Sequence, residues 1–217
     1  MTRRPVLRSL LLLALLPFAA LAAGAPQPAP VEGTDYEVIE GGAPFAPVKG
    51  KVEVVEVFGY TCPHCAHFQP EVSAWARKNA KTVSFVPLAA PFGGYWQPYA
   101  KAYYAAQALG VVEKTHDAMF LALHTDGSLP IRNATESEIA TFYARYGIDP
   151  AKFAAAYDGA DAAQRLQKAD QFIRRSGVEG TPTLVINGKY RVTARNFDDT
   201  LRIADALIAR ERDGKTR

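Results

Sequence analysis

The stretch KVEVVEVFGYTCPHC, residues 51–65, decides the reading of this chain. Its first eight residues are rich in valine and carry no glycine or proline, which predicts a β-strand over residues 51–58. Gly59-Tyr60-Thr61 ends the strand. A helix is predicted to start at Cys62, because Pro63 suits a first helical position and Val72 and Trp75 recur at helical spacing to about Asn79. Both cysteines of the chain lie in Cys62-Pro63-His64-Cys65. Residues i and i+3 share a helix face, so their sulfurs can bond without distorting the first turn. The unpaired N–H groups and dipole of a helix N-terminus favour a thiolate at Cys62. A protonated His64 would add to that effect. A stabilised thiolate is a good leaving group, and stabilising the reduced form makes the disulfide oxidising. Cys65, one turn in, is the expected resolving sulfur.

Outward from this motif, residues 82–88 read as a second strand, joined to the first by a helix and therefore parallel to it. Residues 36–40 form a short earlier strand. No convincing strand occurs from 95 to 176. Helices are predicted there over 99–109, 113–123, 135–146, 150–157 and 160–175. Thr135 with Glu138 forms a capping box, and Asp149-Pro150 opens a helix. Residues 183–186 and 190–193 form a hairpin across a type I′ turn at Asn187-Gly188, and a closing helix covers 197–210. Two βα pieces separated by an all-helical block indicate one α/β domain with a helical insertion. Residues 83–100 carry no charge and include Phe92, Tyr95, Trp96 and Tyr99. They are expected to divide between core and apolar surface beside the cysteines.

Composition narrows the function classes. The chain has 217 residues, with 48% hydrophobic and 22% charged, which is globular rather than disordered. Net charge is +3, but Arg3, Arg4 and Arg8 precede the run of 14 apolar residues at 10–23. That run is shorter than the roughly 20 residues a bilayer span needs. With Ala20-Leu21-Ala22 at its end, residues 1–23 read as a cleavable signal peptide. Without those arginines, 22 basic residues face 22 acidic ones. A nucleic-acid partner is therefore not expected. Residues 24–35 form a proline-rich lead-in. Export places the cysteines where a disulfide persists. Two cysteines with His64, His67, His116 and His124 lack the usual zinc spacing, and haem attachment needs a histidine where Ala66 stands. No metal or cofactor is expected.

Cys62-Pro63-His64-Cys65, Gly180-Thr181-Pro182 before a strand, and Val185-Ile186-Asn187-Gly188-Lys189-Tyr190 together resemble the DsbA family of periplasmic thiol:disulfide oxidoreductases. The resemblance covers essentially all of the chain after the leader. It implies a thioredoxin fold with an inserted all-helical domain, divided as 36–94, 95–176 and 177–217. It also implies a monomer that donates the Cys62–Cys65 disulfide to reduced, unfolded exported proteins in the periplasm, and reoxidation by a DsbB-type membrane quinone reductase. Pro63 and His64 then tune the redox pair. Pro182 resembles the family's cis-proline facing the disulfide, with the Thr181 backbone positioned to pair with an extended substrate. Thr181 stands where valine is more usual, which bears on substrate preference. Glu56, six residues before Cys62, matches a buried acid whose raised pKa suits it to shuttle the Cys65 proton. The lysine that usually accompanies this acid is not evident in residues 82–88. The alternatives are a reductase or isomerase of the same fold, or a metal-binding periplasmic protein.

Overall fold

The computed structural model describes residues 28–214. Residues 1–23, expected from the sequence to be a signal peptide, and the start of the proline-rich lead-in lie outside them. Five strands form one mixed sheet in the order β1-β5-β4-β2-β3. They are β1 (Tyr36–Val38), β2 (Val52–Phe58), β3 (Val83–Ala89), β4 (Thr183–Ile186) and β5 (Tyr190–Val192). β2 runs parallel to β3 through the crossover helix α1 (Pro63–Asn79), and antiparallel to β4. All seven residues of β2 are buried, which is why its sequence is nearly continuous valine rather than an alternating pattern. Its polar exceptions, Glu53 and Glu56, point to opposite faces because strand side chains alternate.

Val52 and Val54 face a core shared with Phe68, Val72 and Trp75 of α1 and with Ile203, Leu207 and Ile208 of α7 (Phe197–Asp213). Trp75 Nε1 donates to Asp205 of α7 at 2.8 Å, tying the two helices together. Each fully buried valine or leucine contributes about 1.5–3 kcal/mol relative to exposure. Val55 and Val57 face the other layer, built from the helical block: α2 (Gln97–Ala108), α3 (Val112–His124), α4 (Glu136–Ala144), α5 (Pro150–Tyr157) and α6 (Ala160–Arg175). Among the described residues no helix is long and apolar enough to cross a membrane.

Local signals act as the sequence predicts. Thr135 and Glu138 form a reciprocal capping box at α4, and the Asp149 side chain caps α5 with Pro150 at its first position. Asn187 and Gly188 both have positive φ, as a type I′ turn requires, and join β4 to β5. Gly188 is also obligatory for space, since a Cβ there would meet the Ala43 carbonyl oxygen at 2.1 Å. The first strand is shorter than expected: the Ile39 N–H makes one last bond in register to the Lys189 carbonyl, where the partner reaches its Asn187-Gly188 turn, and the chain then bends through Gly41 and a Gly42 N–H to Ile39 carbonyl bond. Glu53, buried on the far face of β2, accepts from the backbone N–H groups of Phe45 and Ala46 at 2.6 and 2.5 Å. It thereby anchors the loop that lies over the hairpin.

Candidate active site

The site forms where β2 runs out and α1 begins. Gly59 closes the turn by accepting from the Cys62 N–H at 3.0 Å. Cys62 is the N-cap of α1, in extended conformation, and Pro63 is the first helical residue. The first turn of α1 holds no acidic residue, so nothing in it competes with the cysteine for the positive end of the helix dipole. Cys62 Sγ accepts from the Cys65 N–H at 3.4 Å, and its thiol lies 3.4 Å from the Thr181 carbonyl oxygen. Cys62 is 6% exposed and Cys65 is fully buried beneath it. Both cysteines are free thiols in this structure.

The two sulfurs are driven apart electrostatically. Cys62 is pushed down to about 5, foremost by the hydrogen bond it accepts from the Cys65 thiol. Burial opposes this, while further hydrogen bonds involving Thr181 and the backbones of Cys65 and His64 assist it. Cys65 is pushed far up, first by burial, then by donating to Cys62 and by the repulsion of the Cys62 thiolate. One proton thus stays on the inner sulfur while the outer sulfur is ionised at neutral pH. A low-pKa outer thiolate is both a competent nucleophile and a good leaving group.

The structure brings the other predicted residues to the same place. The Thr181-Pro182 peptide bond is cis and stands against the Cys62 sulfur, so the loop before β4 forms one wall of the site. Pro63 and His64 are exposed beside the sulfur, with the His64 backbone, rather than its ring, hydrogen-bonding there. Glu56 lies in β2 between Pro87 and Leu184, on the same strand face as Val52 and Val54. It is 1% exposed, and neither carboxyl oxygen has a hydrogen-bond partner. Burial, and next the Cys62 thiolate, raise its pKa to about 8. Among the described residues no three histidine, cysteine or carboxylate side chains converge as a metal site.

Other contacts escaped the sequence reading. Trp96, just ahead of α2, lies on Gly59 so closely that a Cβ there would stand 1.9 Å from the indole ring. Tyr99 is buried and Phe92 is 41% exposed, so the uncharged stretch supplies both core and apolar surface. Tyr60 is gripped by α3: its hydroxyl meets His116 Nδ1 at 2.8 Å and its carbonyl oxygen meets His124 Nε2 at 2.7 Å. The only advance sign was the spacing of the two histidines, eight residues apart and thus on nearly one helix face.

Comparison with known proteins agrees with this geometry. A family model described as Thioredoxin matches residues 42–206. The chain is 40% identical to the thiol:disulfide interchange protein DsbA of Azotobacter vinelandii over 76% of this chain and 78% of that protein. It is 36% identical to that of Pseudomonas aeruginosa over 95% and 98%. The crystal structure of oxidoreductase DsbA from Xylella fastidiosa superposes with a TM-score of 0.83 at 51% identity, covering 85% of this chain and 98% of that one. The sheet and its helical block thus have counterparts among these proteins, and the chain belongs to the DsbA family, a thioredoxin fold carrying an inserted all-helical domain.

Proposed function

We propose that this protein is a periplasmic disulfide donor that oxidises pairs of thiols in newly exported, unfolded proteins. The observation that carries the reading is the asymmetry of the cysteine pair: a Cys62 thiol pushed down to about 5 above a buried Cys65 pushed far up. Stabilising the reduced form in this way makes the disulfide eager to accept electrons. A substrate thiolate attacks Cys62 Sγ, the accessible sulfur of the oxidised pair. The Cys62–Cys65 bond breaks and its electron pair leaves on Cys65, which takes a proton from the Glu56 carboxyl. A second substrate thiolate then attacks the substrate sulfur of the mixed disulfide and expels Cys62 as a thiolate. Two electrons pass to the protein, and a substrate disulfide is formed.

The supporting residues have distinct parts in this scheme. Pro63 opens the helix without a wasted N–H. The His64 backbone supports the Cys62 anion, and its exposed ring adds positive charge when protonated. Thr181, whose carbonyl lies 3.4 Å from Cys62 Sγ, offers backbone to an extended substrate beside the reacting sulfur, with Pro182 shaping that wall. Residues 1–23 direct export and are removed, leaving the mature chain in the periplasm as a monomer whose domains divide as 36–94, 95–176 and 177–217. A DsbB-type membrane quinone reductase returns the dithiol to the disulfide. No cofactor takes part, because the electrons move through the cysteine pair.

The test is the redox equilibrium of the chain without its leader against glutathione, with Cys62 thiolate absorbance followed against pH. The span from thioredoxin to strongly oxidising members is about 150 mV, or roughly 7 kcal/mol for two electrons, so the outcomes are well separated. An oxidising potential with Cys62 ionised well below neutral pH is expected. A potential near thioredoxin's with an ordinary thiol would overturn the donor reading in favour of a reductase of the same fold.

A further inference from the structure

We propose that α3 is the positioning element of the cysteine pair: His116, Phe120 and His124 grip Tyr60 and so hold the turn that presents Cys62. This rests on the donor reading and extends it to the helical block. Three observations converge. His124 Nε2 lies 2.7 Å from the Tyr60 carbonyl oxygen. A carbonyl only accepts, so Nε2 carries the hydrogen and donates. One turn earlier on α3, the Phe120 ring packs edge-on against Tyr60 with centroids 5.0 Å apart. One turn earlier again, His116 Nδ1 meets the Tyr60 hydroxyl at 2.8 Å. His116 Nε2 is buried without a partner. If Tyr60 donates to Nδ1, only the Nε2–H is left unpaired. The opposite tautomer would leave both the Nε2 lone pair and the Tyr60 hydroxyl hydrogen unpaired. Tyr60 therefore donates, and burial keeps His116 neutral at physiological pH.

Tyr60 lies between Gly59, which accepts from the Cys62 N–H, and the cap residue itself. The donors that stabilise the Cys62 anion, the Cys65 thiol and the backbone N–H groups, reach its sulfur only while this turn keeps its shape. Loosening the turn misaligns them. The thiolate loses more than the neutral thiol, because hydrogen bonds to a charged acceptor are the stronger ones. The expected direction is a higher Cys62 pKa and a less oxidising disulfide. Since α3 belongs to the helical block, that block acts as the rigid backstop of the redox turn. The hydrogen bonds of His116 and His124 here go to Tyr60, while those of Cys62 go to Thr181 and Cys65, so the three act through the turn and are positioning rather than catalytic residues.

The experiment compares His124→Ala, His124→Gln and Tyr60→Phe with the parent. Cys62 thiolate absorbance is followed against pH, together with the glutathione equilibrium and thermal unfolding. His124→Ala is expected to move the glutathione equilibrium constant toward the less oxidising side by on the order of 5-fold, the scale of one buried hydrogen bond. The Cys62 titration should move upward with it. His124→Gln, which keeps an N–H donor, is expected to restore most of both. Tyr60→Phe keeps the ring and should give a smaller shift of the same sign, and it decides the matter if His124→Ala fails to fold. Folded variants whose Cys62 titration and equilibrium constant match the parent, with only the melting temperature lowered, would overturn the proposal. The readout is a difference from the parent, so a parent that proves to be a poor oxidant refutes the donor reading while leaving the clamp to be judged separately.

Discussion

Glu56 offers a quantitative test, because a buried carboxyl with no partner must make stability depend on pH. The gap between its ordinary value of 4.5 and its folded value of about 8 corresponds to roughly 5 kcal/mol, at 1.36 kcal/mol per pH unit. Above pH 4.5 the unfolded chain releases this proton and the folded protein keeps it. Stability therefore falls as pH rises, until both states are ionised above the folded pKa. In the dithiol form Cys62 works the other way. Its folded pKa is lowered from 9.0 to about 5, so its contribution grows as pH rises across that window. The experiment therefore uses the disulfide form, where Cys62 does not titrate and burial remains the main cause of the Glu56 shift. His116, lowered to about 4 by burial, destabilises the protein as pH falls below 6.5. It does so equally in parent and variant and cancels in the difference. Urea unfolding of the parent and Glu56→Gln at pH 5 and pH 7 gives that difference directly. The variant's advantage over the parent should grow by on the order of 2–3 kcal/mol between the two pH values, whatever constant cost the amide carries. A difference that stays constant within about 0.5 kcal/mol would refute the reasoning, because it would mean that the carboxyl titrates alike in both states.

Two further outcomes follow from the same geometry. Cys65→Ser should accumulate a mixed disulfide with a thiol peptide at Cys62, visible by mass, whereas Cys62→Ser should not. Equal adduct formation in both would contradict the burial of Cys65. Gly59→Ala should destabilise the protein by on the order of 2–3 kcal/mol through its collision with Trp96, and Trp96→Leu in the same chain should recover most of that. Simple addition of the two single effects in denaturant unfolding would show that the contact is not tight.

The fold was legible wherever one local signal outweighed the alternatives. The valine run of β2, Pro63 and Pro150 at helix starts, the Thr135 box and the Asn187-Gly188 turn each fix a backbone conformation within a few residues. Tertiary contacts set the details that the sequence missed. The strand at Tyr36 ends two residues earlier than its sequence suggests, because its partner turns at Asn187-Gly188 and the chain bends at Gly41. The helix read over 135–146 stops at Ala144. Cys62 and Cys65 announced themselves because both the residue type and the spacing are unusual. Tyr60, His116, His124 and Trp96 did not. Each looks like an ordinary core residue until the fold brings positions 37 to 64 residues apart against one turn. Glu53 and Glu56 look alike in the strand pattern, and the family resemblance alone set Glu56 apart. The sheet shows that Glu53 anchors a loop while the Glu56 carboxyl is left without a partner, within electrostatic reach of Cys62.

The burial of Cys65 has a kinetic meaning as well as a chemical one. With Cys65 fully buried and only Cys62 keeping any exposure, every mixed disulfide must form at the same atom, at the same end of α1 and against the same Thr181 wall. A chain being oxidised and an agent that restores the disulfide therefore cannot be held at once. They must take turns, and the protein's two forms are the only record passed between them. Turnover should accordingly show the parallel double-reciprocal lines of a shuttle, in which each visitor leaves before the next arrives.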